Sequence, residues 1–256
     1  MTKGKVHFVG AGSGAADLIT IRGSRLIEAA DVIIYAGSLV NPDLLEGAKD
    51  DCSIYNSAHM TLGQVLDVMR NAAEEGKSIV RLHTGDPCLY GAIREQMDAL
   101  QREGIAYDYC PGVSAFCGAA STLNLEYTLP QVSQSVIITR MEGRTSVPEK
   151  ESIESFAAHG ATMVLFLSAG MTGALSKRLI AGGYGADTPA AIVYKATWDD
   201  EKAITCTVGT LKQAAEENGI TKTALIIVGD VVGCTDYALS KLYDPGFATE
   251  FRESTE

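Results

Sequence analysis

Three observations predict an α/β fold in two domains. Short β-branched runs alternate with helix-period apolar patterns, the alternation pauses at a proline-containing stretch near the middle, and it then starts afresh. The length of 256 residues accommodates one large or two small domains of this class. Residues 1–125 are assigned to an N-terminal α/β domain, 126–134 to a linker, 135–235 to a C-terminal α/β domain with a mixed sheet, and 236–256 to a polar, acidic tail without a motif.

In the first half, Lys5–Gly10, Val32–Tyr35 and Ser78–His83 read as strands bounded by glycine or polar residues. Between them Leu62, Val65, Leu66 and Met69 recur at helical spacing behind the N-cap candidate Thr61, and Ile93, Met97 and Leu100 line one face of the next segment. The linker follows Asn124 as Leu125-Glu126-Tyr127-Thr128-Leu129-Pro130, which lacks a helical period. In the second half, residues 135–139, 162–167, 190–194, 203–208 and 223–228 read as strands, with helical patterns near 150–158, 172–181 and 211–217. The connection from Tyr194 to Ala203 is too short for a crossover helix, so a hairpin is expected there and the sheet is mixed.

Hydrophobic residues at 46% and charged residues at 21% are globular values, which excludes a disordered or fully charged chain. No run approaches the ~18 to 20 apolar residues of a membrane span, and Met1-Thr2-Lys3-Gly4-Lys5 leads straight into a strand, so a soluble cytoplasmic protein is expected. Cys52, Cys88, Cys110, Cys117, Cys206 and Cys234 form no CxxC pair or zinc spacing, so reduced thiols and no protein-bound metal are expected. A net charge of −11 opposes nucleic-acid binding, which draws on clustered Lys and Arg, and requires any anionic small substrate to find a local basic site.

Three runs stand at strand ends, where open α/β sheets bind ligands. Gly10-Ala11-Gly12-Ser13-Gly14-Ala15 satisfies the spacing of a dinucleotide fingerprint, with Asp31 about twenty residues on. Asp31, however, launches the second strand instead of ending it, where Ala36 stands, so the run is read as a tight turn that either packs backbone closely or admits a ligand. His83-Thr84-Gly85-Asp86-Pro87-Cys88-Leu89-Tyr90-Gly91 follows the third strand, with Asp86 either accepting from turn amides or polarising a ligand. Pro111-Gly112-Val113-Ser114-Ala115-Phe116 leads into Cys117, Gly118, Ala119, Ala120 and Ser121, small residues that suit either close helix packing or a ligand.

In this order and spacing the three loops resemble those of the tetrapyrrole methylases, S-adenosylmethionine-dependent methyltransferases, over about residues 5–229. The runs Tyr35-Ala36-Gly37-Ser38-Leu39-Val40-Asn41, Leu129-Pro130-Gln131-Val132-Ser133-Gln134, Thr139-Arg140 with Gly143-Arg144-Thr145, and Tyr194-Lys195-Ala196-Thr197-Trp198 are similar to the members that methylate C-11 of precorrin-4 or cobalt-precorrin-4. The resemblance implies the two-domain fold of that family, with S-adenosylmethionine, and its product S-adenosylhomocysteine, in the cleft between the domains. The implied contacts are Ser13, Thr84, Gly85, Asp86, Leu89, Ser114 and Ala115 from the first domain and Leu167, Ser168, Ala196 and Thr197 from the second. A tetrapyrrole substrate and a homodimer are implied with it. Two departures stand out: Ser13 and Ala15 replace the family's usual proline and acid, which predicts a more flexible turn, and Ala36 replaces the aspartate of uroporphyrinogen methylases, which argues against that activity.

Methyl transfer from a sulfonium is an in-line displacement that needs alignment and exclusion of water more than acid–base groups. Proton handling around the macrocycle falls to Asp86, His83 or Tyr90, with a strand cap and a packed aromatic as the structural alternatives for the last two. Substrate carboxylates call for charge-assisted hydrogen bonds, worth ~1.5–3 kcal/mol each. Arg140, Arg144 and Lys195 are the candidate partners, ahead of Arg22, Arg25 and Arg81. The expected reaction is methylation of C-11 of cobalt-precorrin-4 in cobalamin biosynthesis, with the cobalt inside the macrocycle. The same reaction on metal-free precorrin-4, or tetrapyrrole binding without catalysis, are the alternatives.

Overall fold

The computed structural model describes residues 3–255; Met1, Thr2 and Glu256, which open the expected first domain and close the expected tail, lie outside the described residues. The chain divides into two compact units, Met1–Ala119 with Lys195–Glu201, and Ala120–Tyr194 with Lys202–Glu256.

The first sheet comprises β1 (Lys5–Gly10), β2 (Val32–Tyr35), β3 (Ser53–Asn56), β4 (Ser78–His83) and β5 (Ala106–Cys110), with α1 (Ile21–Ala29), α2 (Leu62–Glu74), α3 (Arg94–Arg102) and α4 (Ala115–Leu123) between and after them. Its order is β3-β2-β4-β1-β5, all parallel. A parallel sheet is covered on both faces, which is why Val32-Ile33-Ile34 and Ile79-Val80 are apolar without alternation. One face packs Phe8, Ile34 and Ile79 with Val65 and Met69 of α2 and Leu100 of α3; the other packs Val9, Ile33, Val80 and Leu82 with Ile27 of α1. The helices that follow the adjacent strands β1 and β4 therefore cover opposite faces, and a crevice opens at the carboxyl ends of those strands.

Thr61 caps α2 in a reciprocal capping box with Gln64. The buried residues of that helix are Val65, Met69, Ala72 and Ala73, so the stripe turns away from Leu62, which is exposed in spite of its expected place on the apolar face. The edge strand β3 escaped the sequence reading because Ser-Ile-Tyr-Asn is short and largely exposed; its pairing to β2 is backbone ladder, which leaves no apolar signature.

The second sheet comprises β6 (Val136–Arg140), β7 (Thr162–Phe166), β8 (Pro189–Tyr194), β9 (Lys202–Thr207) and β10 (Ala224–Val228), with α5 (Ile153–Ala157), α6 (Thr172–Ala181) and α7 (Leu211–Glu217). Its order is β6-β7-β10-β8-β9; β6 and β7 are parallel and the remaining pairs antiparallel, the mixed sheet the sequence implied. Met163, Leu165, Ile192, Ile226 and Val228 form its core with Ile153, Leu175, Leu179 and Leu211 from the three helices. The 126–134 stretch packs within this unit: Tyr127 and Leu129 are buried, the Tyr127 carbonyl accepts from Thr162 Oγ1 (2.9 Å), and Ser133 Oγ accepts from the Thr162 amide (3.0 Å). The tail differs from the expected polar run. Arg252 Nη2 donates to the carbonyls of Leu242, Asp244 and Phe247, and Leu239, Tyr243 and Phe251 stand exposed around this knot.

Candidate active site at the mouth of the first sheet

The three loops singled out in the sequence meet at the carboxyl ends of β1, β4 and β5. Gly12 and Gly85 exchange backbone hydrogen bonds (3.2 and 2.8 Å), and the Ala11 amide donates to the His83 carbonyl (2.7 Å). A Cβ on Gly10 would lie 2.6 Å from the Gly112 nitrogen, and one on Gly112 would lie 2.3 Å from the Gly85 carbonyl oxygen. The glycines at these strand ends are thus required by direct backbone approach. They leave at the mouth a surface built from main chain, with Thr84 exposed and Ser114 buried beside it. No Lys or Arg occurs in residues 10–15, 84–91 or 111–115, so nothing in these loops opposes a cationic ligand.

The glycine turn does not open a helix. A short 3-10 turn, Ala16–Leu18, intervenes, and α1 starts at Ile21 behind its Thr20 cap, so the turn lacks the helix N-terminus on which a dinucleotide pyrophosphate rests. Asp31 is engaged at the far end of the sheet with Lys49 Nζ (2.7 Å) and the Ser78 amide (2.8 Å). Nor is the turn loosened by Ser13 and Ala15, as their departure from the family pattern had suggested. Ser13 is 6% exposed, its Oγ lies 3.1 Å from Thr197 Oγ1, and the Ala15 amide donates to the same oxygen (3.1 Å). The Lys195–Glu201 segment of this unit fills the turn: a Cβ on Gly14 would lie 2.3 Å from Trp198 Cδ1 and 2.6 Å from the Ala196 carbonyl. The Ser13 hydroxyl and the Ala15 amide thus tie the turn to Thr197.

Asp86 binds the β4 loop to the β5 loop. Its Oδ1 accepts from the Cys88 amide (2.9 Å) and the Tyr109 hydroxyl, and its Oδ2 from the Gly112 amide (3.0 Å). His83 is 5% exposed, stacks on Phe8 and leaves Nε2 buried without a hydrogen-bond partner. Burial, aided by the nearby Arg81 charge, pushes its pKa down to about 3, so the imidazole is neutral and a weak base. Tyr90 is exposed on the wall of a 340 Å³ cleft lined also by Pro87, Cys88, Ile93 and Met97, with its backbone at φ +57°. Leu89 is half-buried in the same loop, its amide bonded to the Asp86 carbonyl (3.2 Å).

In the second unit Leu167, at the end of β7, is 67% exposed at φ +53°, a strained conformation for a bulky residue. Ser168 is buried, with Oγ accepting from the Met141 amide (2.9 Å) and donating to the Phe166 carbonyl (2.7 Å). Arg140 donates to the carbonyls of Thr145 (3.2 Å) and Ser146 (2.8 Å), organising the loop on which Arg144 is exposed. Arg178 fastens that loop from α6, reaching Glu142 (2.6 Å) and gripping Glu154 with two nitrogens (2.7 and 2.8 Å). Lys195, in the first unit, pairs with Asp200 (2.7 Å) and lies 5.3 Å from the Trp198 ring centre. Arg81, one of the weaker anion candidates, is instead buried within the first unit, its pKa pushed down to about 10 by desolvation.

Sequence reasoning missed Tyr109, Gln96 and Arg178 as parts of this arrangement, since each acts through side-chain bonds that no local pattern announces. Among the described residues no group of three or more His, Cys, Asp or Glu is placed to hold a metal, and no helix is long and apolar enough to cross a membrane.

The model of the tetrapyrrole (corrin/porphyrin) methylases matches residues 5–212. The cobalt-precorrin-4 C(11)-methyltransferase of Methanocaldococcus jannaschii is 54% identical over 250 residues, covering 98% of this chain and 96% of its own. That of Priestia megaterium is 44% identical over 256 residues, covering 98% and 99%. The solved structure of a cobalamin biosynthetic enzyme, cobalt precorrin-4 methyltransferase, superposes with a TM-score of 0.87 at 45% identity, over 89% of this chain and 95% of that one. With the glycine-lined mouth of a parallel sheet and this length of similarity, the chain belongs to the tetrapyrrole methylase family.

Proposed function

We propose that the chain transfers a methyl group from S-adenosylmethionine to C-11 of cobalt-precorrin-4 in cobalamin biosynthesis. The observation that carries this reading is the near full-length identity to two relatives with that activity in their names, joined to a main-chain cradle at the mouth of the first sheet.

The residues present fit the cofactor. A sulfonium is cationic, and the loops at the sheet mouth offer amides, carbonyls and the Asp86 carboxylate with no Lys or Arg among them. Bound there, S-adenosylmethionine supplies an activated methyl group. We assign its holding to the backbone of Thr84, Gly85 and Asp86, to Leu89, Ser114 and Ala115, to the Ser13 turn with Ala196 and Thr197, and to Leu167 and Ser168, the last through main chain since its hydroxyl is engaged. Asp86 fixes the relative placement of two of those loops. We read His83, neutral by burial, as shaping the floor without taking up a second proton, and assign proton handling at the macrocycle to Tyr90 on the exposed cleft wall. Arg140, Arg144 and Lys195 are assigned to the carboxylates of the tetrapyrrole, with Arg144 the most available. The cobalt arrives as part of the substrate.

Calorimetry tests the cofactor assignment: S-adenosylhomocysteine should bind and NAD should not, and Ser114→Trp should abolish binding. NAD binding in preference to S-adenosylhomocysteine contradicts the reading. A homodimer in the cytoplasm belongs to the same proposal, and a monomeric mass by light scattering removes the dimer from it.

A further inference from the structure

Two helices of the first unit carry a glutamine three residues past the cap and use it in opposite directions. At α2, Gln64 Oε1 accepts from the Thr61 amide (2.8 Å) while Thr61 Oγ1 accepts from the Gln64 amide (3.3 Å). At α3 the cap position is Ile93, which has no side-chain acceptor, and Gln96 is turned round. Its Oε1 accepts from Arg81 Nε (3.2 Å), and its Nε2 donates to the Ala92 carbonyl (2.9 Å). The amide orientation is dictated by its partners, because a guanidinium can only donate and a carbonyl can only accept.

Arg81 is 7% exposed and forms no ion pair among the described residues; its Nη1 donates to the Ile34 carbonyl (3.1 Å). The carbonyl that Gln96 holds belongs to a strained turn. Tyr90 and Ala92 have φ of +57° and +50°, and a Cβ on the intervening Gly91 would lie 2.3 Å from the Pro87 carbonyl oxygen. Asp86 secures the start of this loop through the Cys88 amide, and Gln96 secures its end. The turn forms one wall of the 340 Å³ cleft.

We propose that Gln96, backed by the buried Arg81, is a positioning residue that holds the 90–92 turn in its left-handed conformation and thereby shapes the cleft wall that receives the edge of the tetrapyrrole. The substrate part of this inference rests on the proposed function; the positioning part does not.

Gln96→Glu separates the two bonds. Glutamate still accepts from Arg81, now as an ion pair, but has no N–H for the Ala92 carbonyl. The variant should keep the parent Tm or exceed it, while amide hydrogen exchange across residues 88–93 accelerates by roughly tenfold and the tetrapyrrole KM rises by a similar factor. S-adenosylhomocysteine affinity should stay within about twofold of the parent, the scatter allowed for an untouched site, while kcat, which reads the placement of Tyr90 on this turn, should fall as KM rises. A role confined to neutralising Arg81 predicts parent exchange and parent KM, and that result overturns the proposal. Faster exchange with an unchanged KM overturns the substrate part and leaves the positioning part. Should the Glu variant not fold, Gln96→Met removes both bonds without adding a charge, and the same exchange and KM changes are expected together with a lower Tm, because Arg81 Nε loses its acceptor. A parent chain inert toward every tetrapyrrole offered would sink the functional reading, while the exchange measurement would still decide the role of Gln96.

Discussion

The two units prepare their candidate residues by different means. At the mouth of the first sheet, strand ends approach so closely that Gly10 and Gly112 have no room for a Cβ, and the groups left facing outward are main chain. In the second unit, the loop bearing Arg140 and Arg144 is fastened by long charged side chains: Arg140 to carbonyls of its own loop, Arg178 to Glu142 and Glu154. Backbone packing is intolerant of added atoms, whereas a loop tied by partly exposed ion pairs is tolerant of change and sensitive to salt. The first arrangement suits the proposed cofactor, and the second suits the carboxylates of the proposed substrate.

The sharpest way to break this contrast is Gly112→Ala. The added methyl has backbone on two sides, so a loss of about 1–3 kcal/mol of stability is expected together with loss of S-adenosylhomocysteine binding by calorimetry. Parent-like affinity in that variant would remove close backbone approach from the account of the site.

A second test concerns His83, buried beneath the same mouth. The unfolded chain takes up a proton on this ring below its ordinary value of 6.5, the folded chain only near 3, so acid favours unfolding in that window. The expected slope is about 1.4 kcal/mol of stability lost per pH unit as pH falls from 6.5 toward 3. Denaturant titrations at several pH values should show this component vanish in His83→Gln; an unchanged pH dependence would mean that the ring is protonated when folded.

Thr197→Val should act more mildly, removing the hydroxyl shared by Ser13 and the Ala15 amide at a cost of about 1 kcal/mol. Because Trp198 is the single tryptophan, packed on Gly14, its emission should shift in the variant and S-adenosylhomocysteine affinity should fall. Emission and affinity identical to the parent would return the glycine turn to the flexible state its sequence suggested. The smallest stability effect is expected from Arg178→Met, under ~1 kcal/mol, since its partners are substantially exposed. Its signature is selective: a higher tetrapyrrole KM with S-adenosylhomocysteine affinity unchanged. Equal losses for both ligands would erase the division of labour between the units.

How much of this was legible follows from what kind of signal each feature leaves. The alternating runs gave every strand of the second sheet and the hairpin between β8 and β9, because burial on a core imposes apolar patterning. The edge strand β3 was hidden because backbone pairing makes no demand on side chains. At the site, the glycine loops could be placed at strand ends from spacing, yet the close approach of Gly10 to Gly112 joins positions a hundred residues apart in sequence, and periodicity carries no information about it. The same holds for Thr197, whose hydroxyl reaches the glycine turn from far along the chain, and for the Arg81–Gln96 pair beneath the 84–92 loop. Asp86 was left open between a turn and a ligand role; its carboxylate accepts from three donors that tie the two loops together, long-range bonds that the sequence does not announce.

The central claim is tested most directly by anaerobic incubation of the full chain with S-adenosylmethionine and enzymatically prepared cobalt-precorrin-4, with metal-free precorrin-4 in parallel, read by mass spectrometry and NMR. The account predicts the gain of one methyl group at C-11 of the cobalt substrate. No gain in either tube from a chain that still binds S-adenosylhomocysteine would contradict it and point to tetrapyrrole binding without transfer.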